Sequence, residues 1–71
     1  PREIVRQALL LDASGVVLAH NHPSWTCEPS HADILLTKKV KAALELIDCR
    51  LLDHFIVAGG RFYSFAESGE L

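Results

Sequence analysis

The chain has 71 residues, a formal net charge of −2, 49% hydrophobic residues and 23% charged residues. Those proportions belong to one ordinary globular domain. The sequence holds no apolar run of ~18 residues that could span a membrane, and the acidic balance argues against the basic surface of a nucleic-acid binder.

The two cysteines, Cys27 and Cys49, are too few for a disulfide framework, so a reducing, cytoplasmic setting is expected. There is no methionine, and the first residue is Pro1. Since translation begins with methionine, the expectation is a processed piece or a fragment, the C-terminal portion of a larger domain. Pro1-Arg2-Glu3-Ile4-Val5 suits the first turn of a helix, where proline is tolerated and an acid favours the dipole. Ile4, Val5, Ala8, Leu9 and Leu11 continue at helical spacing, predicting a helix over 2–12. Asp12-Ala13-Ser14-Gly15 ends it, with Gly15 expected as the left-handed terminator. Residues 16–20 (VVLAH) predict a short buried strand, and 21–29, with two prolines, a loop.

A second helix is predicted over 30–47, with Ala32, Leu36, Val40, Ala43, Leu44 and Ile47 on its buried face. Leu51 to Ala58 predicts a second strand, and Gly59-Gly60 a tight turn. Arg61 to Phe65 predicts a third strand, followed by a short C-terminal turn. The order α-β-α-β-β implies a parallel crossover between the first two strands and an antiparallel hairpin between the last two. Such an α/β layer is thin, and further strands of the domain are expected elsewhere. An unpaired strand edge then invites self-association.

Chemistry concentrates in His20-Asn21-His22-Pro23 and Ser30-His31-Ala32-Asp33. Residues i and i+2 of an extended chain point to one side, so His20 and His22 can aim both imidazoles at one point. Asp33, in the first turn of the next helix, can return to the same strand end, a common place for ligands in α/β folds. Two nitrogens, one carboxylate oxygen and a water make a tetrahedral zinc site. Such a metal lowers the pKa of its water toward ~7 and polarises a carbonyl. Ser30 is placed to orient that water or to donate to a developing oxyanion. The set fits zinc best without excluding other first-row metals.

Each residue also has a plainer account. Ser30-x-x-Asp33 before an apolar-periodic run is close to a capping box. His-x-His alone is weak; the composite of both segments at this spacing is what points to a metal. Cys27 fits a small loop residue or a fourth ligand, and His31 a surface position. His54 alternates with Leu52 and Ile56, which suggests a packed, hydrogen-bonded histidine or a support for the metal ligands. Asp53 is expected to pair with His54 or Arg50, and Cys49 to be a buried inert thiol.

Taken together, the segment from His20 to Ser24 and that from Pro29 to Asp33 resemble the JAMM signature of the JAB/MPN metalloprotease superfamily. Residues 1–4, 52–57 and 63–67 are similar to the RadC branch, bacterial proteins once labelled DNA-repair proteins. The resemblance covers essentially the whole chain. It implies a cytidine-deaminase-like α/β fold and zinc held by His20, His22 and Asp33, with Ser30 assisting catalytically at the oxyanion. It also implies hydrolysis of a peptide or isopeptide, including one to a ubiquitin-like modifier.

Two departures stand out. The family's catalytic glutamate belongs to a strand upstream of the segment matching Pro1, and neither Glu3 nor Glu28 is an evident substitute. The family loop often has glycine after Pro-Ser, where this chain has Trp25. That aromatic suits either a substrate contact or a cover over exposed core. The expectation is therefore a RadC-type zinc metallopeptidase domain impaired by loss of its general base, a group worth ~10²–10⁴-fold in rate. The alternative is a non-catalytic, zinc-stabilised interaction module linked to DNA repair or mobile elements.

Overall fold

Helix α1 spans Arg2–Leu10 with Pro1 at its N-cap position and Glu3 in its first turn. The computed structural model describes all residues, Pro1–Leu71. Its elements follow as β1 (Gly15–Asn21), α2 (His31–Glu45), β2 (Arg50–Ala58) and β3 (Arg61–Ser64). No helix is long and apolar enough to cross a membrane.

The end of α1 differs from expectation. Asp12, not Gly15, is the left-handed residue, with φ +54°. The amide of Ala13 donates to the Ala8 carbonyl at 2.9 Å, and that of Asp12 to the Leu9 carbonyl at 3.2 Å. These two bonds form a Schellman motif, which satisfies the last carbonyls of the helix. Helix α2 ends the same way, with Asp48 at φ +56° and the Cys49 amide on the Leu44 carbonyl at 2.9 Å. Gly15 instead opens β1, and its small size has a packing cause. A Cβ there would lie 2.8 Å from Leu52 Cδ1.

The sheet order is β1-β2-β3, with β1 parallel to β2 and β2 antiparallel to β3. Helix α2 is the crossover that the parallel pair requires. Gly59 and Gly60, at φ +52° and +79°, make the turn into β3, a conformation that glycine adopts without a Cβ penalty. The result is a small α/β domain of two helices and a three-strand mixed sheet, in the predicted order.

One irregularity sets which side chains of β2 face inward. The β1–β2 register passes from Val16↔Leu51 to Val17↔Asp53. Leu52 is thereby skipped, which is the signature of a bulge. Past it, the buried positions of β2 are His54, Ile56 and Ala58. Leu52 does not share their face, contrary to strict alternation, and is 51% exposed.

The core is small. Ala8, Val40, Leu44, Cys49 and Leu51 form one cluster, flanked by Ile4, Val16, Leu18 and Ile47 among others. Ile56 and Phe65 are also fully buried. The buried stripe of α2 is Asp33, Thr37, Val40 and Leu44, rotated from the predicted face. Ala32 and Leu36 are exposed because the capping of Ser30 turns Asp33 inward instead.

Strand β1 pairs only with β2, so its other edge is open, and Val17 on it is 52% exposed. An open edge with an exposed β-branched residue is a template for another strand. Light scattering is expected to show concentration-dependent association, reduced by Val17→Lys with a stability change of about 0.5 kcal/mol or less. A parent that stays monomeric at high concentration would count against edge pairing.

Candidate metal centre

The site is assembled from the end of β1 and the start of α2. His20 lies within β1, paired with Ile56, and Asn21 is paired with Val57. The His22 amide continues the ladder by one bond to the Val57 carbonyl at 2.9 Å. His20 and His22 are both half-buried and Asn21 between them is exposed, as the two-residue period of a strand requires. The imidazole centroids lie 5.0 Å apart.

Asp33 closes the group. Ser30 is the N-cap of α2. Its Oγ accepts from the Asp33 amide at 3.1 Å, and its own amide donates to Asp33 Oδ2 at 2.7 Å. This is a complete capping box. It also aims the carboxylate back at the strand end. Asp33 Oδ1 is 3.1 Å from His20 Nε2 and Oδ2 is 2.9 Å from His22 Nε2. The cap and the histidine contacts are one arrangement, not competing ones. His20, His22 and Asp33 offer one ligand atom each, all within 4.8 Å of one another.

These contacts set the electrostatics of the group. Burial by itself would raise the Asp33 carboxyl. The Ser30 and His22 hydrogen bonds and the charge of His20 outweigh it and hold the group below its ordinary 3.8. On the far side, His22 Nδ1 is 3.3 Å from the Thr26 carbonyl. A carbonyl only accepts, so Nδ1 carries a proton, and Nε2 is the ring atom turned to Asp33, a donor to it when protonated and a free ligand atom when not. Ser30 Oγ is engaged as an acceptor in the cap, which leaves its hydroxyl proton available to donate outward.

The remaining residues fall outside the three-residue cluster. Cys27 is a half-buried free thiol and not one of its members. His31 is exposed. Glu3 is engaged with Arg6 and Gln7 along α1. The Glu28 amide donates to Thr26 Oγ1 at 3.2 Å, and the side chain is exposed. Trp25 is 84% exposed, so it does not cover core. Its ring lies against Gly59, where a Cβ would come within 2.6 Å.

Behind the cluster, His54 is 1% exposed and Thr37 2%. His54 Nε2 is 3.0 Å from His20 Nδ1, and His54 Nδ1 is 2.6 Å from Thr37 Oγ1. Burial pushes His54 below its ordinary 6.5, and His20 acts in the same direction against Asp33 and Asp53. Sequence reasoning missed Thr37. The available signal was its place one turn beyond Asp33, on the same helix face. Asp53 pairs with neither the His54 ring nor Arg50. Its carboxylate accepts from the His54 amide at 2.7 Å, Ser64 Oγ at 2.5 Å and the Ala66 amide at 3.0 Å.

The RadC-like JAB domain family model matches residues 1–70. The chain is 63% identical over its full length to a UPF0758 protein of Herminiimonas arsenicoxydans, covering 32% of that protein. It is 61% identical to one from Janthinobacterium and 59% to one from Methylibium petroleiphilum, again over the full chain and 32% of each relative. The chain thus spans about a third of the length of the curated relatives it matches. A small α/β domain with a His/His/Asp group at the end of a parallel strand is the class defined by the fold and this site. Within that class, the chain belongs to the RadC-like JAB domain family.

Asp53 generates a pH prediction independent of the metal cluster. Burial raises its carboxyl, but the Ser64, Ala66, His54 and Phe65 hydrogen bonds outweigh this and hold it below 3.8. A depressed carboxyl stabilises the fold above its unfolded value, and the contribution is lost as pH falls through the lower folded value. Asp53→Asn is expected to cost about 1–3 kcal/mol at neutral pH and to flatten the stability profile below about pH 4. Denaturant melts across that range test this, and an unchanged acid limb would refute it.

Proposed function

We propose that the chain is the metal-holding part of a zinc-dependent JAMM-type peptidase or isopeptidase, with His20, His22 and Asp33 as ligands to one zinc ion. The observation that carries this reading is the convergence of three ligand atoms, one each from His20, His22 and Asp33, within 4.8 Å of one another. His22 Nε2, the ring atom left over once Nδ1–H serves the Thr26 carbonyl, stands 2.9 Å from Asp33 Oδ2, an oxygen that already accepts the Ser30 amide. His20 Nε2 stands 3.1 Å from the other oxygen. Such a group is held together either by protons on the imidazoles or by one cation shared among the three atoms. A proton bridges one of the two histidine–carboxylate contacts, whereas a divalent ion engages both histidines and the carboxylate at once. Two imidazoles and a carboxylate are a zinc donor set with room for one more ligand.

A divalent ion bound there supplies Lewis acidity, acidifying water and polarising a carbonyl. The protein's own groups do the rest. Asp33, held anionic by its cap, offsets part of the ion's charge. The Ser30 hydroxyl is the donor for a developing oxyanion. Trp25 provides an exposed aromatic surface beside the loop that carries Ser30, suited to a peptide segment or the tail of a ubiquitin-like modifier.

No further carboxylate joins the cluster, and hydrolysis needs a proton acceptor. We place that acceptor outside residues 1–71, in sequence corresponding to the rest of the relatives, of which the chain covers 32%. The same lack favours the second reading, a zinc-stabilised interaction module. The two readings separate when the longer protein is tested for cleavage of peptide and isopeptide substrates.

The decisive experiment is native mass spectrometry of the chain with zinc. One ion per chain is expected in the parent and none in His20→Ala or Asp33→Ala. The isolated chain is expected to hydrolyse ~10²–10⁴-fold more slowly than the longer protein. A folded parent that takes up no zinc would sink both readings for residues 1–71.

A further inference from the structure

Four buried or half-buried groups run in a line from one proposed ligand back to another. The line begins at the backbone carbonyl of Asp33, which can only accept. Thr37 Oγ1 lies 2.7 Å from it, so the single hydroxyl proton of Thr37 goes there. His54 Nδ1 lies 2.6 Å from the same Oγ1. With no proton left on the hydroxyl, His54 Nδ1–H must be the donor. A neutral imidazole has one N–H, so His54 Nε2 is a bare acceptor. It faces His20 Nδ1 at 3.0 Å, and His20 Nδ1–H donates to it. The opposite polarity would set a threonine lone pair against the Asp33 carbonyl at 2.7 Å. With His54 and Thr37 almost fully buried, water has little room to relieve that clash.

We propose that His54, itself set by Thr37, is a positioning residue that fixes His20 in its Nδ1-protonated tautomer and keeps the Nε2 lone pair free to bind a metal ion. This rests on the metal reading of His20, His22 and Asp33 and adds the device that prepares one ligand. The ring of His54 has little freedom to turn. It stacks on Phe65 with centroids 4.7 Å apart and planes 8° from parallel, and its backbone amide is held by Asp53. The β2 bulge at Leu52 sets the phase that points His54 inward. The line also joins two ligands through β2, because the carbonyl where it begins belongs to Asp33. His22 has a weaker support. Its Nδ1 meets the Thr26 carbonyl at 3.3 Å in an exposed loop.

The test has two readouts. Long-range ¹⁵N–¹H spectra of the metal-free chain, taken well above the ordinary histidine pKa of about 6.5, report the tautomer of each ring directly. His20 is expected to carry its proton on Nδ1. Thr37→Val, which removes the hydroxyl at nearly constant shape, and His54→Leu are each expected to release His20 into mixed tautomers. Zinc affinity, read by competition with a chromophoric chelator, is expected to fall ~10–100-fold in both. Thr37→Ser is expected to restore both readouts. His54→Gln, whose amide can accept from His20 and donate to Thr37, is expected to restore them in part.

A metal-free His20 protonated on Nε2 would overturn the proposal. So would Thr37→Val, folded by circular dichroism, with unchanged tautomer and unchanged zinc affinity. An Nδ1-protonated His20 in a chain that takes up no zinc would support the tautomer lock while removing the metal reading, so the two can fail separately.

Discussion

The Asp33 carboxylate is the joint on which the site depends. One oxygen takes the Ser30 amide and so caps α2, and the pair of oxygens faces the two histidines at the end of β1. A helix N-terminus has unpaired amides and a positive dipole end, and both favour a carboxylate there. Without the cap, the chain would have to hold an anion near two imidazoles by packing alone, in a domain whose core is small. With it, local helix energetics help fix the direction of the carboxylate independently of tertiary packing.

The second constraint is the phase of β2. A regular ladder would put His54 on the same face as Leu52, a residue that is half exposed. The bulge shifts the strand by one residue, so His54 turns into the layer between α2 and the sheet, where Thr37 meets it. A one-residue slip reverses every side chain beyond it. The position of His54 behind His20 is therefore a backbone property of β2. Gly15 takes part by leaving room for the skipped Leu52 side chain.

Most of the architecture was legible because strong local signals agreed. The Gly59-Gly60 turn, the Ser30 cap and the apolar runs of the strands each specify their element, and all five elements appear in the expected order. The boundaries moved where side-chain polarity overrode periodicity. Asp33 and Thr37 are polar, so a hydrophobic stripe drawn for α2 passed over them to Ala32 and Leu36. Their burial comes from partners supplied by β1 and β2, which no window of the helix sequence contains. The helix ends were misread for a similar reason. Asp12 and Asp48 adopt left-handed conformations that glycine usually takes, and Gly15 answers instead to Leu52 from another strand. The residues offered as ligands could be named from their spacing alone. The line Thr37–His54–His20 was legible only in part: a supporting role was one of two readings of His54, but its contact with Thr37 depends on a bulge with no evident mark in the sequence.

A cap and a cation site make different demands on the same carboxylate. A cap needs one oxygen on one amide, and Asp33 Oδ2 with Ser30 meets that need fully. Nothing in capping requires the other oxygen to face a buried-edge histidine, nor that histidine to be backed by a second histidine and a threonine. Those groups are buried polar atoms, which are unfavourable in a core unless paired. Here every one is paired, and in the proposed tautomer the pairing leaves the His20 Nε2 lone pair at the surface end of the line. A domain selected only for stability would more simply fill the Thr37 and His54 positions with valine and leucine. On the proposed metal reading, the fully paired polar line behind one imidazole is what distinguishes a prepared ligand from a histidine that merely lies near a helix cap.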